Sequence, residues 1–116
     1  TDLQSRGLAM SVHGLGRMSA RWESFPLSFR STIISSIDQL SAQTNSLEIA
    51  NILYGLGKMR VDWLSLPSTN RERLLQSVSR ECWEMNGQGL SNSLYGLSLM
   101  NTQWSEVSPA VREKVW

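Results

Sequence analysis

The chain has 116 residues, 41% hydrophobic and 18% charged, with a mean hydropathy of -0.23, the composition of an ordinary globular chain long enough for one core. A formal net charge of +1 makes the chain as a whole no strong electrostatic bait for nucleic acid or anionic membrane, and weighs against any reading that needs a basic surface. One cysteine, Cys82, and one histidine, His13, exclude an internal disulfide framework and a thiolate–histidine zinc site.

Cys82 as the lone cysteine agrees with a reducing compartment. No apolar run approaches the roughly 20 residues that span a bilayer, so direct membrane insertion is not expected. No signal or transit segment precedes the first periodic stretch, and the numbering begins inside that stretch.

Residues 1–5 read as the tail of a turn, with Gln4 in the N-cap place. From Arg6 to Met18, Leu8, Val12, Leu15 and Met18 follow helical spacing. A short link then carries Trp22 and ends at Phe25-Pro26. Proline suits the first turn of a helix, where its missing N–H would be unpaired anyway, so a second helix is expected from about 26–28. Its apolar positions are Phe29, Ile33, Ile37 and Leu40.

The pattern then returns. After the polar turn Gln43-Thr44-Asn45-Ser46, the stripe Ile49, Leu53, Leu56 and Met59 defines another first helix. Asn45 and Glu48 stand three apart, as in a capping box. Trp63 and Leu66-Pro67 follow, then a second helix with Leu74, Leu75, Val78 and Cys82 inward. Asn86 caps the third copy, whose stripe is Leu90, Leu94, Leu97 and Met100, followed by Trp104, Pro109, Val111 and Val115. Arg30, Arg71 and Arg112 recur at one place in the second helix.

The tryptophans at 22, 63 and 104 set a period of 41 residues. Such a period is the mark of stacked repeats. No alternation at period two competes. The expected fold is therefore all-α: an α-solenoid of helix–turn–helix units, about 2.8 copies of 41 residues in one segment, 1–116. Repeat 1 covers about 5–45, repeat 2 about 46–86 and repeat 3, incomplete, about 87–116. Neither end carries a polar capping repeat, which reads as a piece of a longer array.

Trp22, Trp63 and Trp104 are expected to be equivalently buried lids on the helix pairs, each covering on the order of 200 Å²; Trp83 and Trp116 are also expected to be packing residues. Gly14, Gly55 and Gly96 stand mid-helix, where glycine costs up to about 1 kcal/mol against alanine. Recurrence at one position calls for a close backbone approach. Either neighbouring helices pack there, or these glycines open a floor for a bound strand. Gly16, Gly57 and Ser98, with Ala9, Ala50 and Ser91, form a second small-residue stripe suited to helix contact.

Asn51 and Asn92 share one position, and an amide presents a donor and an acceptor together, as base-edge recognition needs. Ser11 and Ser93 are adjacent candidates, and Arg17 and Lys58 are placed to meet phosphates. His13 is replaced by Tyr54 and Tyr95 in the other copies, a half-buried amphipathic slot rather than a general base. No carboxylate pair or nucleophile–base pair recurs, so catalysis is not expected, nor any metal or cofactor. The Gly-x-Gly pairs lie inside helices and are no dinucleotide fingerprint.

Leu47-Glu48-Ile49-Ala50-Asn51-Ile52-Leu53-Tyr54-Gly55-Leu56-Gly57-Lys58-Met59 resembles the first helix of octotricopeptide repeats, and the related heptatricopeptide repeats are similar. Gln88 to Leu97 matches as well, and Gly7 to Leu15 more loosely. The units differ from that family in the inserted Met-x-x-x-Trp-x-x-x-Pro link. The resemblance implies an α-solenoid that binds single-stranded RNA or ribosomal RNA in a chloroplast or mitochondrion, with Asn51 and Asn92 on its concave face. The alternative is a protein-interaction scaffold, an accessory subunit of a larger organellar assembly, which the near-neutral charge favours. A concave face bearing Arg17 and Lys58 points to RNA; one lined by exposed Leu and Met points to protein.

Overall fold

The computed structural model describes the backbone of residues 2–115 and the side chains of 4–115. Among the described residues it is all-helical, with 80% helix, no strands and six packed α-helices, a helical-repeat-like architecture. These are α1 (Asp2–Arg17), α2 (Leu27–Leu40), α3 (Ser46–Lys58), α4 (Ser68–Glu81), α5 (Gly87–Leu99) and α6 (Pro109–Val115). One-turn 3₁₀ helices at Trp22–Ser24, Trp63–Ser65 and Trp104–Glu106 lie within the links, and two more, Ser41–Gln43 and Cys82–Glu84, precede α3 and α5. The first helix starts at Asp2, so Gln4 lies inside it rather than at its N-cap, and the expected leading turn is helical.

The other starts follow their caps. Glu48 N–H donates to Asn45 Oδ1 at 2.8 Å and Asn45 N–H to Glu48 Oε1 at 3.0 Å, the reciprocal capping box. Asn86 Oδ1 accepts from Gly89 N–H at 2.8 Å. Pro26 and Pro67 stand just before α2 and α4, whereas Pro109 is itself the first residue of α6.

The three first helices end alike. Ser19, Arg60 and Asn101 adopt left-handed φ of 60°, 64° and 67°. In α3 the Arg60 N–H donates to Gly57 O and the Val61 N–H to Leu56 O, at 3.0 and 3.1 Å. The same two bonds recur after α1 and α5. This is the Schellman arrangement, which satisfies carbonyls the helix end would leave orphaned.

α3 lies between α1 and α5, and α2 packs on α4. Ile49, Leu53, Leu56, Met59, Trp63 and Leu74 have no exposed surface. The glycines decide how close the row is. A Cβ on Gly55 would overlap the Val12 carbonyl of α1, and one on Gly96 would overlap the Leu53 carbonyl of α3. From the opposite side, a Cβ on Gly16 would stand 2.7 Å from Gly55 Cα, and one on Gly57 2.7 Å from Gly96 Cα. Gly55 and Gly96 therefore face the preceding helix and Gly16 and Gly57 the following one, whereas Gly14 faces open space.

The links join neighbouring units through backbone. Trp22 N–H donates to Met59 O and Trp63 N–H to Met100 O, both at 2.9 Å. Polar bonds tie the second helices. Asn70 Nδ2 reaches Ile34 O and Asp38 Oδ1 at 3.1 and 2.7 Å, Ser77 Oγ reaches Ser41 O at 3.0 Å, and Arg80 reaches Thr44 O at 2.7 Å.

The expectation of equal tryptophan burial is met by two of three. Trp22 and Trp63 are 6% and 0% exposed, Trp104 45%. Each of the first two is tied through its backbone N–H to the first helix of the following unit, and no described unit follows Trp104. Phe29, expected in the core, is 41% exposed, because its counterpart Asn70 faces a preceding second helix and Phe29 has none. Val115, also expected inside, is exposed in the last described turn of α6. Trp83 is exposed rather than packed inside, with Lys114 Nζ 5.3 Å from its ring centre. Trp116 lies outside the described residues.

Two glycines at one repeat position should respond oppositely to alanine. Gly55→Ala forces α1 and α3 apart and should cost about 1–3 kcal/mol or more. Gly14→Ala, with nothing within 4 Å of the added Cβ, should stabilise by up to about 1 kcal/mol. Urea unfolding of both variants measures the difference, and equal effects would contradict the packing. In the same assay Arg60→Gly should raise the unfolding free energy by about 0.5 kcal/mol or more, seen as a higher urea midpoint, by relieving a left-handed non-glycine.

Candidate nucleic-acid interface

Helical spacing fixes which side chains of α1, α3 and α5 share the face left free by the packing. Positions 6, 10, 13 and 17 and their counterparts one and two periods on form four columns. They read Arg6/Leu47/Gln88, Met10/Asn51/Asn92, His13/Tyr54/Tyr95 and Arg17/Lys58/Leu99. The columns contain three cations and no carboxylate.

A groove of about 360 Å³ crosses this face obliquely, from the end of α1 to the starts of α3 and α5. His13 and Arg17 line it from α1, Leu47 and Asn51 from α3, and Gln88 and Asn92 from α5. Glu84, at the end of the turn before α5, puts one carboxylate on its wall. Asn51 and Asn92 are half-buried and Arg17 is exposed. Neither amide has a hydrogen-bond partner among the described residues, so both keep donor and acceptor available.

Of the residues singled out from sequence, Arg17, Asn51 and Asn92 meet in this groove. The others do not. Ser11 lies in a separate apolar groove with Leu8, Leu15 and Phe29. Ser93 is fully buried and donates to Gly89 O at 2.9 Å. Lys58 is half-buried outside the groove lining, its Cβ beside Gly16. Gly55 and Gly96 are buried against the preceding helix, and Gly14 faces the same backward direction. A glycine floor for a bound strand is thereby corrected. The space opposite these glycines belongs to a helix, because only a backbone without Cβ admits the neighbouring carbonyl.

His13 is more than a slot residue. Its ring centre lies 5.3 Å from that of Tyr54, and Tyr54 lies 6.2 Å from Tyr95, giving a tilted aromatic ladder across three helices. These spacings leave no room for a base between neighbouring rings, since intercalation needs about twice the van der Waals thickness of a ring. The ladder ties helix to helix and offers edges and hydroxyls to the ridge. Sequence reasoning passed over Gln88, Leu47 and Glu84. The first two were discoverable as the counterparts of Arg6 one and two periods on, whereas Glu84 enters only through the turn geometry.

Partial burial, and secondarily the Arg17 charge, hold the His13 pKa below the ordinary value of 6.5. No cluster of three or more His, Cys, Asp or Glu that could hold a metal occurs among the described residues. Among those residues, no helix is long and apolar enough to cross a membrane. No known protein-family model, curated protein or solved structure matches this chain.

The pH response of His13 follows from its surroundings. The fold favours the neutral ring, so its contribution is complete above pH 6.5 and is lost as pH falls through the depressed folded pKa. NMR titration should place the ring midpoint below 6.5. Arg17→Ala should raise that midpoint only partway, because burial is the larger cause; full restoration would contradict this ordering.

Proposed function

We propose that this chain is an α-solenoid module of the octotricopeptide-like kind that binds single-stranded RNA without catalysis, in organellar RNA metabolism or in association with ribosomes. The organelle, chloroplast or mitochondrion, comes from the resemblance alone. The observation that carries the RNA reading is the meeting of Arg17, Asn51 and Asn92 in one groove across three helices. Unpaired amides beside a cation match what an unstacked base and its phosphate present: a mixed donor–acceptor edge and a negative charge. In the groove Arg17 stands with one carboxylate, Glu84, while Arg6 and Lys58 in the flanking columns have no acidic neighbour in those columns, so the ridge as a whole is more positive than the near-neutral chain.

A second reading, a protein-binding scaffold, is favoured by Met10 and Leu47, 61% and 66% exposed on the same ridge. Isolated exposed apolar side chains are common on any surface, and amides and cations outnumber them here. RNA is therefore the preferred ligand.

Binding to a pool of short single-stranded RNAs across a salt series tests this choice. Affinity should fall with salt, with a slope corresponding to about two or three phosphates. Asn51→Ala/Asn92→Ala should blunt sequence preference while leaving most of the salt slope, whereas Arg17→Ala should weaken all sequences and reduce the slope by about 1. A folded chain that binds no RNA at low salt would transfer the groove to a protein partner.

A further inference from the structure

We propose, resting on the RNA reading above, that Glu84 makes the groove selective for guanine, so that one guanosine of the bound strand is held between α3 and α5. The backbone fixes this carboxylate in place. Cys82–Glu84 forms a one-turn 3₁₀ helix, closed by the Met85 N–H on Cys82 O at 3.2 Å. Cys82 and Met85 are 0% and 5% exposed, and Asn86, next in the chain, caps α5. Glu84 is thus an exposed residue of an anchored turn. Its carboxylate makes no hydrogen bond or ion pair among the described residues.

The two ends of the groove differ in sign. Arg17 comes from the end of α1 and Glu84 from the turn before α5, with α3 between them. A carboxylate repels phosphate, so a strand crossing the groove sets phosphate toward Arg17 and turns a base edge to Glu84. A carboxylate only accepts hydrogen bonds. Guanine alone presents two adjacent donors on its Watson–Crick edge, N1–H and the N2 amino group, which match the two carboxylate oxygens. Adenine and cytosine offer an amino donor beside a ring-nitrogen acceptor, and uracil offers one imino donor between two carbonyls. Each of these sets a lone pair against the carboxylate.

The rest of the guanine edge is also provided for. O6, next to N1–H, needs a donor, and Asn51 of α3 with Gln88 and Asn92 of α5 line the same groove with amide N–H groups. One period earlier, the place of Glu84 is held by Gln43. Its amide both donates and accepts, so it suits any base edge. The guanine requirement is therefore confined to the junction of α3 with α5.

Fluorescence anisotropy with short oligouridines carrying one central guanosine, adenosine, cytidine or inosine tests the selectivity. The guanosine strand should bind about tenfold tighter than the adenosine and cytidine strands. Inosine, which lacks only the N2 amino group, should lose most of that advantage. Glu84→Gln, at an exposed position, should keep the parent circular dichroism and remove most of the guanosine preference, with adenosine-strand binding unchanged or tighter. Binding with no guanosine preference overturns the role of Glu84 and leaves the RNA reading standing. So does a preference that Glu84→Gln leaves intact, one that inosine fully retains, or equal tightening of every strand in that variant. A chain that binds none of these strands at low salt overturns the RNA reading and the guanine selectivity with it.

Discussion

The structure depends on one constraint: the first helices of successive units approach until backbone meets backbone. At that distance the facing positions must be glycine, because the Val12 and Leu53 carbonyls occupy the volume a Cβ on Gly55 or Gly96 would need. Much else follows. The row is held in parallel register, so equivalent residues stand beside one another, and His13, Tyr54 and Tyr95 come within ring contact. The short separation also brings the link of one unit to the helix end of the next, which allows a tryptophan N–H to reach a methionine carbonyl. Mid-helix glycine weakens an isolated helix; here that cost is met by the backbone packing it permits.

The same constraint divides the surface of each first helix into flanks taken up by packing and a part left free. On α3, one flank with Glu48, Ile52 and Gly55 and another with Ala50, Leu53 and Gly57 are buried. Leu56 and Met59 are covered as well. What remains is the narrow ridge of Leu47, Asn51, Tyr54 and Lys58, and its counterparts on α1 and α5. Side chains on this ridge are not required to fill space, so their chemistry reflects another demand. They are amides, aromatic rings and cations, with Leu47, Met10 and Leu99 interspersed.

Net charge and local charge diverge in this chain. A formal charge of +1 describes the whole surface, yet the four ridge columns carry no carboxylate, and the acidic residues are elsewhere. Glu48 is buried in its capping box, where it also accepts from Ser5, and Asp38 accepts from Asn70 between the second helices. Glu84 alone is brought to the groove wall. A polyanion would sense the ridge first, because exposed charges farther than a Debye length, about 8–10 Å, are largely screened.

Sequence by itself determined the period, the helical class, the capping box at Asn45 and Glu48, and the inward stripe Ile49, Leu53, Leu56 and Met59. All of these are local: each is written in spacings shorter than one unit or in their exact recurrence. It also placed Asn51, Asn92 and Arg17 on the one face, since i to i+3 and i+7 spacing is enough for that. Tertiary structure alone decided the direction in which the glycines look, because on an isolated helix a glycine facing a neighbour and one facing solvent are indistinguishable. It removed Ser93 and Gly55 from any ligand's reach, and it brought Glu84 into the groove. It also separated Trp104 from Trp22 and Trp63, which have the same local sequence setting but different neighbours. Burial is a property of what packs from the next unit, and no spacing within one unit encodes it.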